Sequence, residues 1–217
     1  LTDLTTTQLR ALPVGAIINL SAEKTRALST EQVAALTVTQ VAALNVTTVS
    51  AFSTEQIAAL GSAQIRALTT SALSALSQDQ IGMIGAEALA TINSTSLAAL
   101  SATQVNALSV TAFASLSTRQ FAGLSPGAIG ELDAAHVAAL TSTQLAGLTS
   151  QQLRAIGTAD LAGLSTDQIA ALTATGLGAL TTTQVGALAP EQVAALSTTQ
   201  IRGFGAAAIA ALTLDQL

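Results

Sequence analysis

The chain has 217 residues, half of them hydrophobic and 9% charged, with a formal net charge of −5. Its one lysine and six arginines form no basic stripe, so nucleic-acid binding is not expected. There is no cysteine, which excludes disulfides, thiolate metal sites and cysteine nucleophiles. Polar residues interrupt every apolar run well before about 18 residues, so no transmembrane span is predicted.

An eight-residue unit, the octad, repeats along the chain without insertion or deletion. Taken in chain order, 26 full octads run from 5–12 to 205–212, and 1–4 and 213–217 are partial copies in the same register. No linker or charge run interrupts them. The sequence therefore predicts one uninterrupted array over residues 1–217, and we expect it to be a segment of a longer chain because it opens and closes within an octad.

The octad 29–36, Ser-Thr-Glu-Gln-Val-Ala-Ala-Leu, shows what each position does. Position one is Ser, Thr, Asn or Asp in 20 octads and Gly in four, which are the residues preferred at a helix N-cap. Position four is Gln in 14 octads, and Ser or Thr followed three residues later by Gln is a capping box. Position eight is always large and apolar and forms a hydrophobic staple with the next position five. Each octad therefore predicts a new helix start.

Departures from the octad in chain order agree with this prediction. Pro13 stands at position one, outside the helix, whereas Pro126 and Pro190 stand at position two, the first helical residue, where a missing N–H costs nothing. Thr25 is the one polar residue at position five. The four phenylalanines occupy core positions and are predicted to fill the interior rather than to stack on bases: Phe52, Phe113, Phe121 and Phe204.

Three structures compete for this pattern. A strand would send positions five and eight to opposite faces, because they are an odd number of residues apart. One continuous helix would drift by about 80° per octad, so its apolar stripe would wind round the whole surface. The prediction is an all-α solenoid of very short capped helices, one per octad, around an aliphatic core, with small residues at position seven letting turns lie close. A β-solenoid is the alternative. We adopt three octads per turn as a hypothesis, because the sequence pattern does not fix this number.

Candidate chemical groups are few. His136, the only histidine, takes the position-four slot three residues after Asp133, which favours a capping-box variant over a metal or acid–base site. Glu131 and Asp160 are interpreted as surface variation. Asn19, Asn45 and Asn93 begin Asn-x-Ser/Thr sequons, although the last two are also good N-caps. No catalytic, cofactor or metal-binding residue is predicted, and no enzyme activity is expected.

The unit Leu-[Ser/Thr]-x-x-Gln-[Val/Ile]-x-Ala, as in residues 28–35, resembles octapeptide arrays of very large secreted or surface proteins of bacteria. The resemblance implies an adhesin-like or filament-forming role outside the cell, with self-association or continuation into a longer array, and a glycan is a further candidate partner. Our first hypothesis is therefore an extracellular rod or filament. A scaffold that binds a protein or polysaccharide, with the position-six arginines as contacts, is the alternative. Ice or mineral binding by threonine rows is a third, and it requires a β-solenoid.

Overall fold

The computed structural model describes residues 3–217 and forms two compact units, Leu1–Leu116 and Ser117–Leu217. Across the described residues every octad forms one short α-helix and there is no β-strand, so the β-solenoid alternative is wrong. The helices of the first unit are α1 (Thr6–Ala11), α2 (Val14–Ile18), α3 (Ala22–Arg26), α4 (Thr30–Ala34), α5 (Val38–Ala42), α6 (Val46–Ser50), α7 (Thr54–Ala58), α8 (Ser62–Ala67), α9 (Thr70–Ser74), α10 (Gln78–Gly82), α11 (Ala86–Leu89), α12 (Ser94–Ala98), α13 (Ala102–Ala107) and α14 (Val110–Ala114).

The second unit continues the pattern. Its helices are α15 (Thr118–Gly123), α16 (Pro126–Gly130), α17 (Ala134–Ala138), α18 (Ser142–Ala146), α19 (Ser150–Ala155), α20 (Thr158–Gly163), α21 (Thr166–Ala170), α22 (Ala174–Ala179), α23 (Thr182–Gly186), α24 (Pro190–Ala194), α25 (Thr198–Ile201) and α26 (Ala206–Ala210), followed by the 3₁₀ helix Leu214–Gln216. That the two units form one array stays a prediction.

Helix starts follow the predicted capping chemistry. In the full octads each position-one residue is extended, as at Ser29 with φ −71° and ψ 160°, and where it is Ser, Thr, Asn or Asp its side-chain oxygen accepts the backbone N–H of position four. The returning glutamine completes the capping box in most octads that carry one, as Gln32 does for Ser29. Pro126 and Pro190 are the first residues of their helices, and Pro13 is an N-cap without a side-chain bond. The backbone therefore turns a corner once per octad.

Within each unit, every helix packs against the helix three further along the chain. Three octads, or 24 residues, therefore complete one turn, which confirms the hypothesis of three octads per turn. Positions five and eight fill the interior except at the last octad, where Ile209 is 39% exposed, and all four phenylalanines are buried. Thr25, the polar exception at position five, is also fully buried, because its hydroxyl donates to the carbonyl of Ser21 at 3.0 Å.

Small residues let successive turns approach closely. A Cβ added at Gly82, at position six, would lie 2.9 Å from the carbonyl oxygen of Ala107, at position seven one turn later. The same pairing recurs between Gly130 and Ala155, where the distance would be 2.6 Å. Where position six is larger, its side chain can use that carbonyl: Arg154 Nε donates to Ala179 at 2.8 Å and Ser50 Oγ donates to Ala75 at 3.2 Å. Position six therefore contributes to the spacing between turns.

Candidate functional site: a glutamine ladder between turns

The position-four glutamines do more than complete the capping box. Gln56 Oε1 accepts the N–H of Ser53 at 2.7 Å, as the sequence predicted. Its Nε2 donates to the carbonyl of Leu28 at 2.6 Å and to that of Thr25 at 3.1 Å, 28 and 31 residues earlier. A single side-chain amide therefore joins the start of α7 to the end of α3 and the corner that follows it.

This arrangement recurs through both units, and we call it the glutamine ladder. Each member donates from Nε2 to one or more carbonyls at positions five, six or eight of the octad four units earlier. The carbonyl at position eight is bonded in every case. The members are Gln32, Gln40, Gln56, Gln64, Gln80, Gln104, Gln152, Gln168, Gln184, Gln192, Gln200 and Gln216.

The ladder supplies a donor to the position-eight carbonyls that follow each helix, and adds a second donor to position-five carbonyls that already accept the N–H of position eight. The last carbonyls of a helix have no N–H donor within that helix, and here a helix ends once per octad. Most members of the ladder are buried; Gln184, for example, is 3% exposed and donates to Leu153 and Ile156 at 2.9 and 2.8 Å. A net contribution of about 1 kcal/mol per bond makes each glutamine worth roughly 1–2 kcal/mol, and losing one would cost more where it removes the donor to a buried position-eight carbonyl.

Sequence reasoning assigned glutamine only the capping box, although a signal for the second role was present. A capping box accepts Glu as readily as Gln, yet no octad has Glu at position four. Glutamate can supply the acceptor but has no donor when ionised, whereas the amide has both. The absence of Glu at this position therefore indicated that a donor is needed there.

Asparagine at position one replaces the missing amide in one octad that lacks Gln. Asn45 Oδ1 accepts the N–H of Thr48 at 2.9 Å, while Asn45 Nδ2 donates to the carbonyl of Ile18 at 3.0 Å, 27 residues earlier. The Thr48 hydroxyl adds a longer bond of 3.5 Å to the carbonyl of Leu20. Asn45 thus caps its own helix and contacts the preceding turn, which assigns a structural task to this sequon asparagine.

The other two sequon asparagines are also in hydrogen bonds. Asn93 Oδ1 accepts the N–H of Ser96 at 2.9 Å, as expected of an N-cap. Asn19 stands at the end of α2, where its Nδ2 donates to the carbonyl of Gly15 at 2.8 Å. Each of the three sequon asparagines therefore has a structural hydrogen bond.

His136 is part of a helix cap. Asp133 Oδ1 accepts the backbone N–H of His136 at 2.9 Å and lies 2.8 Å from its Nδ1, and the ring is buried. The backbone hydrogen bond from His136, followed by the bond to its ring, lowers the pKa of Asp133 below its usual value. The geometry supports the capping-box variant over an acid–base site.

The remaining acids form no metal centre in the part of the chain that the structure describes. No three His, Asp or Glu side chains in residues 3–217 are grouped so that they could hold a metal ion. Glu131 is exposed at the end of α16, as predicted for surface variation, whereas Asp160 is half-buried at position four beside its glycine N-cap, Gly157. Within the same residues, no helix is both long and apolar enough to cross a membrane.

Short capped helices, three to a turn and tied by a buried amide ladder, define a helical-solenoid repeat protein. The model of the ALTTAQ repeat matches residues 17–46, 38–70, 49–90, 137–174, 153–190, 170–198 and 185–217, which together cover more than two thirds of the chain. The chain belongs to the ALTTAQ repeat family. Residues 179–184 read Ala-Leu-Thr-Thr-Thr-Gln, so the final letter of that motif falls on the ladder glutamine. No curated protein matches the chain.

Proposed function

We propose that this chain is a structural element of an extracellular rod or filament, such as an adhesin stalk, a surface fibre or a matrix component. The glutamine ladder is the observation that carries the proposal. Its hydrogen bonds run from one turn to the next, in addition to the apolar contacts between those turns. A fold whose turns are joined one by one in this way can be lengthened by adding turns, since each repeat contacts mainly its neighbours.

The surface supports the same role. Positions two and three are mostly Ser, Thr, Gln and Ala, and only 9% of all residues are charged. The largest side chains that could mark a ligand site, the four phenylalanines, are all buried. A neutral hydroxyl-rich exterior around an aliphatic interior suits a spacer more than it suits a specific binding site. The extracellular setting rests on the resemblance to secreted octapeptide arrays.

One of the five position-six arginines gives the scaffold alternative less support than the sequence suggested. Arg154 occupies position six, and its Nε donates to the carbonyl of Ala179 in the next turn. This side chain serves packing between turns, so the rod remains the preferred proposal.

Inserting whole turns tests the proposal. Duplicates of residues 29–52, three octads, would be added once, twice and four times within the first unit. Because neighbouring helices pack about 8–10 Å apart, we expect the maximum dimension from small-angle X-ray scattering to grow by about 8–10 Å per inserted turn. A duplicate in which Gln32 and Gln40 are both replaced by Glu serves as the control and should lose order locally. Growth in all three dimensions, or compact globules in electron micrographs of the extended chain, would refute a rod.

A further inference from the structure

One side of the first unit combines exposed valines, a shallow groove and two opposite charges. We define the α5–α14 face as the outward sides of α5, α8, α11 and α14, which pack in that order at successive turns. At position two it carries valines on the outer helices and small residues on the inner ones. Val38 and Val110 are 46% and 38% exposed, while Ser62 and Ala86 between them are half-buried.

A shallow groove of about 440 Å³ lies at the middle of this row. It separates the starts of α8 and α11, where two glycine N-caps, Gly61 and Gly85, leave no side chain to fill the space. Met83 lines the groove and is 44% exposed at position seven, where Ala is usual. The face is thus concave and lined by small groups at its centre, and it is apolar at both ends.

The α5–α14 face carries two charged residues of opposite sign. In the four octads 37–44, 61–68, 85–92 and 109–116, the only charged residues are Arg66 at position six and Glu87 at position three. Both are exposed, and neither takes part in an ion pair in the described part of the chain. They stand on the two inner helices, one on each side of the groove.

We propose that the α5–α14 face binds a second copy of this chain, with the stacking direction of the two copies antiparallel. A twofold axis that runs parallel to the helices and passes between α8 and α11 places each α8 opposite the second copy's α11. Val38 then faces Val110 of the second copy, and Ser62 faces Ala86 of the second copy. The pairing of residues is self-complementary, as twofold dimers require, and the two grooves face each other across the axis, so the contact is made on either side of them.

Charge complementarity selects this orientation. In the antiparallel dimer Arg66 lies opposite the second copy's α11, about 4.5 Å along the helix axis from Glu87, so two symmetry-related ion pairs form. In the parallel arrangement each helix meets its own counterpart, which places Glu87 opposite Glu87 and Arg66 opposite Arg66. Like charges facing each other across an interface are disfavoured.

The contact is modest in size. The four helices have four to six residues each and are about 6–9 Å long, so at a spacing of about 10 Å they offer roughly 300 Å² per copy, or about 600 Å² in total, below the size of stable specific interfaces. We therefore expect a weak dimer, with a Kd in the micromolar to millimolar range. This dimer rests on the proposed structural role and deepens it. In a filament, the α5–α14 face would form a lateral contact between two neighbouring chains.

Sedimentation velocity of the 217-residue chain, from about 1 µM to about 1 mM, measures the dimer directly. Arg66→Glu and Glu87→Arg should each raise Kd at least about tenfold, and the double exchange should return it to within about threefold of the original value. Arg26→Glu, an exposed position-six arginine on α3, is the matched control and should leave Kd unchanged. Circular dichroism melting of each variant at low concentration checks that the monomer is folded.

Orientation is tested with cysteines, since the chain has none. A mixture of Ser62→Cys and Ala86→Cys chains should form a disulfide-linked heterodimer on oxidation, and Ser62→Cys alone should remain mostly uncrosslinked. A chain that stays monomeric to about 1 mM, a dimer insensitive to Arg66→Glu, or efficient crosslinking of Ser62→Cys alone would each overturn the proposal. A strictly monomeric chain whose length still grows with inserted turns would leave the rod proposal intact.

Discussion

Replacing a ladder glutamine by glutamate tests whether the bonds from Nε2 stabilise the stacking of turns, because the substitution changes only the amide NH₂ group. Gln56→Glu keeps the oxygen that accepts the N–H of Ser53 but replaces the donor with an oxygen. That oxygen would sit where Nε2 now lies, 2.6 Å from the Leu28 carbonyl oxygen and 3.1 Å from that of Thr25. The variant therefore loses two hydrogen bonds and places a negative group against two carbonyls.

The expected loss is large for a single substitution. Two lost bonds cost about 2 kcal/mol, and the loss of the side-chain donor to the Leu28 carbonyl and the buried charge add to this, so we expect about 3–5 kcal/mol at pH 7. Burial and the facing carbonyls disfavour the charged form, so the pKa of the introduced carboxyl in the folded state lies above its unfolded value. The destabilisation is therefore complete above that folded pKa and shrinks as the pH falls through it, because the protonated acid can donate to Leu28.

Hydrogen exchange of the α3 and α7 amides, together with urea unfolding at several pH values, measures the effect. Gln78→Glu is the matched control, because Gln78 is exposed at position two of its octad, as the first residue of α10. It should change the free energy of unfolding by no more than about 0.5 kcal/mol. If Gln56→Glu were as mild as Gln78→Glu, or if its effect did not diminish in acid, the bonds from Nε2 would not stabilise the stacking of turns.

Five further substitutions, at four positions, test other parts of the octad by denaturant unfolding. Leu100→Asp places a charge at a position-eight site that is 3% exposed, and we expect a loss above about 4 kcal/mol. Ser101→Ala removes the oxygen that accepts the Gln104 N–H at 3.2 Å and should cost about 1 kcal/mol, whereas Ser101→Gly should cost a few tenths. Gly130→Ala pushes a Cβ against the next turn and should cost about 1–3 kcal/mol, while Gly127→Ala in the same helix meets nothing within 4 Å and should stabilise by about 0.5–1 kcal/mol.

Each of these substitutions has an outcome that contradicts its reasoning. Unchanged unfolding of Leu100→Asp would show that position eight is not interior. Equal effects of alanine and glycine at Ser101 would show that the hydroxyl does not cap the helix. Similar effects at Gly130 and Gly127 would mean that the turns do not approach each other at position six.

Local signals in the sequence determined where each helix starts and which side chains it buries. The capping box, the staple and proline at the first helical position act between residues at most four apart, so a single octad contains all of them. They predicted the short helices, the interior positions five and eight, and the caps at Asn45, Asn93 and Asp133. Each of these has the predicted place in the structure.

Only the tertiary structure decided how many octads make a turn and what the glutamine amide does with its donor. Both depend on residues 24 to 31 apart, and the octads are so alike that no single one identifies its partner in the next turn. The close approach of Gly130 to Ala155 has the same origin, because the position-six side chain meets a carbonyl 25 residues later. The physical reason is the difference in range, since a cap is satisfied within its own helix, whereas the orphan carbonyls at a helix end find their donors only after the chain has completed a turn.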